Sequence, residues 1–412
     1  MDFQPKSSEK ICRLLDKGVN LLNPGTLDIG DEVNIDRISS QDVKIYPGCR
    51  IYGPDTVISA GSTIGAEAPA TMDNCRLGSR VQLKGGYFRE SVFLDDVSLG
   101  SGAHVREGCI LEEEASGAHS VGLKQTILFP FVTLGSLINF CDCLMAGGTS
   151  RRQHSEVGSS YIHFNFTPDG DKATPSLIGD VPRGVMLNQP PVFLGGQGGL
   201  VGPLRIGFGN VVAAGSLLRQ DYPDDNQLIY SAPPAAGTKD FIPAAYPHLR
   251  RILDNNILYL ASIKALSAWY AEVRRPFFEV QEFGPHLLSG ALAQLARAEK
   301  ERLGRLKALL EKAALPSRSR TMPEMIAEPR AYSECFSDIE NVFGEPLRDS
   351  NIEKARDSFL GRITKPDHSF TTPYLDAVRN LPPDAVASGT RWLKGLVDYY
   401  CQRASSMLSS RR

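Results

Sequence analysis

Aliphatic residues recur every six positions over long stretches of this chain, and that spacing constrains the fold more than any other feature. Leu194, Leu200, Ile206, Val212 and Leu218 follow it, as do Val81, Tyr87, Phe93, Leu99, Val105 and Leu111, and Ile58 with Ile64. An α-helix brings side chains back to one face about every 3.6 residues and a strand every two, so neither gives this period. A coil of three short strands separated by turns does give it, with inward side chains stacked on a common axis. Glycine follows the inward residue in Ile64-Gly65, Leu99-Gly100, Ile178-Gly179, Leu194-Gly195 and Ile206-Gly207, where tight corners need a permissive backbone. The spacing predicts a parallel β-helix of hexapeptide repeats; a Gly-rich β-sandwich is the competing reading.

Glycine is dense from about residue 25 to 215 and sparse beyond, which divides the 412 residues into two units. The expected organisation is an N-terminal helix and lead-in over 1–24, the β-helix over 25–220, and an α-helical domain over 240–412. Two stretches, 136–176 and 180–193, break the rhythm and are expected as loops pushed out of the prism. Downstream, Ile257, Leu260, Ile263, Leu266, Tyr270 and Val273 form one helical stripe. Leu292, Leu295, Leu303, Leu306 and Leu310 form a second, and Trp392, Leu396, Tyr399 and Tyr400 mark a last helix. These stripes read as core, with a subunit seam as the alternative for the second.

Composition excludes several classes of function. A net charge of −2 with 22% charged residues carries no nucleic-acid footprint. No apolar run is long enough to cross a bilayer, and MDFQPKSSEK has no signal-peptide core, so the expected location is the cytoplasm, without a membrane partner. Eight scattered cysteines suit reduced, buried small hydrophobes better than a disulfide framework.

Several longer segments carry a family likeness. LLDKGVNLLNPGTLDIGDEVNID reads as a lead into a β-helix, and VREGCILEEEASGAHSVGLKQ holds Arg106 and Lys124, 18 positions apart. HSEVGSSYIHFNFTPDGDKATPSLIGD and VFLGGQGGLVGPLRIGFGNVVAAGSLLRQD follow. Residues 14–220 thereby resemble the acetyltransferase half of the bacterial bifunctional N-acetylglucosamine-1-phosphate uridyltransferase/glucosamine-1-phosphate acetyltransferase family. The resemblance implies a left-handed parallel β-helix, a homotrimer with sites between neighbouring prisms, and acetyl-CoA or another acyl-CoA as co-substrate. It implies that Arg106 and Lys124 hold the phosphate of a sugar phosphate or nucleotide sugar. Asn165-Phe166 stands where the family has an Asn-Tyr pair, Lys172 matches a family lysine, and Gly196 and Ala214 fall where the family approaches its cofactor.

Three departures accompany the likeness. No Gly-rich nucleotide loop precedes the β-helix, so this chain is not expected to have uridyltransferase activity. The family's catalytic histidine is missing, because the corresponding GSLINFCDCLMAGG has Asn139 and Phe140 near that place. The family's short tail is replaced by about 170 helical residues.

Acyl transfer to an amine or hydroxyl needs a base near neutral pH, which favours histidine. If Asn165 faces the ligand, His163 two positions earlier shares its face and is the first candidate. His154 in the expected loop is the second. For each the bland alternative is a satisfied or solvated histidine, and for Arg106 and Lys124 it is solvated charge. Close histidine pairs are absent, and Cys141-Asp142-Cys143 lacks a second ligand cluster, so no metal is expected. The reading is an acyl-CoA-dependent N- or O-acyltransferase acting on a phosphorylated or nucleotide-linked sugar. The alternative is a non-catalytic sugar-nucleotide-binding or scaffold protein. Another histidine in the groove would favour the enzyme; a groove filled by Phe140, Phe166 or residues 180–193 would favour the alternative.

Overall fold

In the computed structural model, which describes residues 7–232, 235–238, 240–241, 243–315, 324–363 and 372–409, the six-residue spacing becomes a parallel β-helix. The helix α1 (Ser8–Asp16) leads into it, and strands run from Asn20–Leu21 to Leu228–Ile229. The first face is an 11-stranded parallel sheet from Asn20–Leu21 through Ser98–Leu99 to Leu228–Ile229. The second face runs from Asp28–Ile29 to Leu217–Leu218, and the third from Val57–Ile58 to Arg205–Ile206. These two join into one sheet because Gly122–Leu128 and Asn139–Met145 turn the edge without breaking.

Side chains from all three faces meet on the axis: Leu83, Leu99 and Leu134 from the first, Phe88, Val105 and Leu123 from the second, and Phe93, Leu111 and Leu128 from the third. Tyr87 departs from the expected ladder, since Phe88 points inward and Tyr87 outward. Gly86 explains the shift. Its φ is +130°, and a Cβ there would lie 2.0 Å from the Ala103 carbonyl oxygen, so only glycine lets the strand pass.

The third face is largely apolar on both sides, its outward row interrupted only by Arg76 and Arg205. Outward from it project Val57, Val92, Ile110, Ile127, Leu144 and Leu177, all buried. A sheet whose two sides are both apolar needs a second layer, and the C-terminal helices supply it. A short helix, α2 (Val181–Gly184), lies within the coils, and the C-terminal helices are, in chain order, α3 (Leu249–Trp269), α4 (Arg275–Glu279), α5 (Gly284–Ala314), α6 (Glu324–Glu334), α7 (Phe336–Gly344), α8 (Ser350–Ile363), α9 (Tyr374–Arg379) and α10 (Pro383–Ser409). The helix α3 lies on Ser176–Ile178, and α5 on Arg76–Leu77, Ser91–Phe93 and Cys109–Leu111. Among the helices themselves, Trp269, Phe359 and Trp392 stack in a row.

Two expected loops change character. Most of 136–176 is coil: Asn139–Met145 runs in register with Gly122–Leu128, and Glu156–Val157, Ile162–Phe164 and Ser176–Ile178 continue the three faces. Polar outward residues such as Asn139 hid an inward row that includes Phe140 and Met145. Only a hairpin, Gly148–Ser150 with Gln153–His154, and the stretch 165–175 leave the prism. Residues 180–193 do not project, because Val181, Val185, Met186 and Val192 are buried, with α10 against α2.

The two halves are also joined by buried charge. A π-helical turn, Tyr270–Arg274, follows α3 and presents two polar side chains to the prism. Tyr270 donates to Glu112 Oε1 at 2.6 Å, while Arg274 pairs with Glu113 and lies 3.2 Å from Glu112. Burial pushes the Glu113 carboxyl up to about 7, against the opposing pull of Arg274. Arg274→Ala would leave two carboxylates without their cation and is expected to lower the unfolding free energy by about 3–5 kcal/mol in urea titrations. The Glu113 shift also sets a sign. Between about pH 4.3 and about pH 7 the folded protein binds more protons at Glu113 than the unfolded chain, so stability falls as pH rises. Wild type should lose stability relative to Glu113→Gln across that window, and a difference independent of pH would contradict the burial.

Candidate functional site

Alternation along the second face decides which polar side chains share a groove. In Ala103–Val105 the inward residues are Ala103 and Val105, so His104 and Arg106 point outward. One coil on, Leu123 is inward and Gly122 and Lys124 are outward; on the next, Phe140 is inward and Asn139 and Cys141 are outward. The register places His104, Gly122 and Asn139 in one outward row. Gly122 has no side chain to fill the space between its neighbours. The result is a cavity of about 320 Å³ lined by His104, Arg106, Ser120, Gly122, Asn139 and Cys141. His104 is steadied by Tyr87, ring centroids 5.1 Å apart.

Lys124 stands beside this row, and its Nζ is 2.7 Å from Glu107 Oε1. Burial raises the Cys141 thiol's pKa, while the nearby Arg106 and Lys124 cations work the other way. Beyond Lys124 the chain turns the edge at Gln125 and, one coil on, at Asp142, both with positive φ. Asp142 is buried between Arg302 of α5, at 2.9 Å, and the Asn165 amide, at 3.3 Å. A second cavity, about 790 Å³, opens under α5 and is bordered on the prism side by Glu107, Lys124 and Gln125.

The residues expected from sequence divide between several places. Arg106 and Lys124 occupy adjacent coils of the second face. Asn165 lies on the same edge, next to Asp142, but Phe166 is 76% exposed and Lys172 is in the 165–175 stretch, its carbonyl accepting from Arg302. Gly196 and Ala214 come together on adjacent coils at the edge between the first and second faces, several coils from Arg106.

His163 is not in the groove. It pairs in register with the inward Leu200, is 2% exposed, and its Nε2 lies 2.8 Å from Ser176 Oγ. The chain turns the edge after Phe164, so Asn165 does not share a face with His163. Its inward, buried position removes it as a base for the groove, and the same burial lowers the pKa of His163 to about 4. His154 lies in the hairpin at the edge between the third and first faces, with Nδ1 2.9 Å from the Arg151 carbonyl oxygen, and in one chain it does not border Arg106. The histidine that does border Arg106 is His104, which the same two-residue rule applied backwards from Arg106 would have found.

None of the fillers considered above occupies the groove: Phe140 faces the axis, Phe166 faces solvent and residues 180–193 are beneath α10. Among the described residues no group of three or more His, Cys, Asp or Glu side chains is arranged to hold a metal. No helix among them is long and apolar enough to cross a membrane.

A hexapeptide-repeat β-helix with an open groove bordered by Arg106 and Lys124 is thus the class of molecule at hand. The bifunctional protein GlmU of Thermotoga maritima is 30% identical over 214 residues, 52% of this chain and 42% of that protein. GlmU of Pelobacter propionicus is 30% identical over 221 residues, 53% of this chain and 43% of that one. The chain spans less than half the length of these curated relatives. They bear out the resemblance read from residues 14–220. A solved structure of LpxA from Acinetobacter baumannii, 15% identical, matches 50% of this chain and 67% of its own with a TM-score of 0.18, too low to support any structural argument. No family profile matches the chain.

The burial of His163 gives a prediction opposite in sign to that for Glu113. The unfolded chain protonates His163 below about pH 6.5 and the folded protein only near pH 4, so stability falls on acidification through that window. Wild type should therefore weaken relative to His163→Leu between these values in urea titrations. An imidazole that titrates near pH 6.5 by NMR would show His163 to be solvated.

Proposed function

We propose that this chain transfers an acyl group from an acyl-CoA, acetyl-CoA being the simplest, to an amine or hydroxyl of a phosphorylated or nucleotide-linked sugar bound on the second face. One observation carries the reading: His104, Arg106 and Asn139 line one open cavity, with Lys124 beside it, in a chain similar to GlmU over half its length. The thioester C–S bond breaks as an acyl C–N or C–O bond forms, and the acceptor's proton ends on the CoA sulfur. His104 takes that proton from the acceptor and passes it on. Asn139, with an uncharged amide, orients the acceptor. Arg106 grips phosphate through its planar fork and Lys124 adds a mobile charge.

The acyl-CoA belongs at Gly196 and Ala214, which meet on adjacent coils at the positions where the resemblance places the cofactor. Near them the first and second faces expose Leu137, Ile162, Phe164, Phe193, Val211 and Leu228. An apolar surface of this kind on a rigid prism suits burial against a neighbouring copy, and supports a homotrimer in which a second subunit closes the distance between cofactor and acceptor. A soluble acyl-CoA donor fits a cytoplasmic enzyme.

Light scattering at micromolar concentration should give three times the chain mass of 44.9 kDa, and a monomer there would count against shared sites. His104→Ala should lower turnover by about 10²–10⁴-fold with the acceptor KM nearly kept. Arg106→Ala should chiefly raise the acceptor KM. Transfer assays with acetyl-CoA and a panel of sugar phosphates and nucleotide sugars read both effects. Sugar binding with no transfer to any of them would leave a non-catalytic binding protein.

A further inference from the structure

The cavity under α5 has a chemistry of its own. Its outer wall is one face of α5, on which Ala293, Ala296 and Gly304 are small enough to leave the space open. The same face carries Arg297, Lys300 and Arg305, so with Lys124 four cations border the cavity against Glu107 and Glu301. Lys300 has no ion-pair partner among the described residues. Arg297 reaches Glu90 at 2.5 Å but keeps 43% of its side chain exposed.

Of these cations on α5 only Arg297 also reaches the prism, through Glu90, while Arg305 pairs with Glu301 on the helix itself. The buried docking cation of α5 is Arg302, 2% exposed and fixed to Asp142 and the Lys172 carbonyl. Arg302 is buried, whereas the cavity cations are at least partly exposed; Lys124 pairs with Glu107, Arg297 with Glu90 and Arg305 with Glu301, which leaves Lys300 as the cation in excess among the described residues. On the prism side the Gln125 amide oxygen is buried without a hydrogen-bond donor. A buried acceptor left in that state is destabilising, and a ligand hydroxyl that reaches it satisfies it.

We infer that this cavity binds a diphosphate, with Lys124 on one phosphoryl group, Arg297 and Lys300 on the other, and Gln125 accepting from an adjoining sugar hydroxyl. At about 790 Å³ the space accommodates a ligand of that size. The acceptor is then a nucleoside diphosphate sugar rather than a sugar monophosphate. That last step rests on the acyl-transfer reading; the diphosphate site does not.

Calorimetric titration of the full chain with inorganic pyrophosphate and with inorganic phosphate separates the possibilities. Pyrophosphate should bind at least about tenfold more tightly than phosphate. The exposed double substitution Arg297→Gln/Lys300→Gln should remove that preference while phosphate binding persists, and Lys124→Gln should weaken both. Ala296→Trp, which fills the cavity without changing charge, should also abolish the preference. Equal binding of the two anions by wild type, or a preference that survives both the double substitution and Ala296→Trp, overturns the site. If the preference behaves as expected but no sugar nucleotide is acylated, the site stands and the acyl-transfer reading falls. If a sugar monophosphate is acylated equally well by wild type and Ala296→Trp with no pyrophosphate preference, the reverse holds.

Discussion

Burial of the third face from both sides is the constraint on which the rest of this structure depends. Its outward row of Val57, Val92, Ile110, Ile127, Leu144 and Leu177 would otherwise meet water. Each such side chain is worth roughly 1.5–3 kcal/mol on burial, so the row contributes on the order of 10 kcal/mol even after discounting a compact unfolded chain. That is comparable to the whole stability of an ordinary domain. The helical half is therefore part of the prism's core. The buried pairs Arg274 with Glu112 and Glu113, and Arg302 with Asp142, add little net energy after desolvation. Their service is positional, because any other seating of the helices would bury these charges without partners. With the third face committed in this way, the outward row of His104, Gly122 and Asn139 on the second borders an open cavity.

Much of this was legible in the sequence, and the reason is periodicity. Leu194 through Leu218 alternate as the six-residue coil requires, and the buried helical stripe from Ile257 to Val273 is where its spacing placed it. The face covered by the helices was also written there, in adjacent apolar pairs such as Val92-Phe93, Ile110-Leu111, Ile127-Leu128 and Leu144-Met145. One member of each pair points in and the other out. Such pairs are easy to miss when the search is for a single repeating position. The coil hidden in 136–176 was missed for the opposite reason, since Asn139 and Asp142 mask the inward Phe140 and Met145.

The site was less legible because local alternation holds only between corners. Counting back from Asn165 carried the argument across a bend and turned His163 outward, whereas counting back from Arg106 stays on one strand and gives His104. Pairing across coils cannot be counted at all without the register, which is why the approach of Gly122 to both His104 and Asn139 needed coordinates. The contribution of α5 was illegible for a plainer reason. Nothing in residues 284–314 says which of its cations meets Asp142 and which is left beside Lys124.

The attachments of α5 have one further consequence. Arg76 donates to the His286 carbonyl, Arg297 pairs with Glu90 and Arg302 with Asp142, so the helix is fastened to the prism at three levels, and Lys312 donates to the Asp169 carbonyl in the stretch that leaves it. A β-helix coil rises about 4.8 Å and an α-helix about 1.5 Å per residue; each coil therefore corresponds to about three helical residues. Repeat proteins commonly evolve by gaining or losing whole repeats. Here a coil added between Arg76 and Asp142 would throw the helix out of step unless α5 changed by a compensating length at the same level. The helix thus acts as a gauge that freezes the coil number of this segment, while the coils beyond its ends remain free to vary.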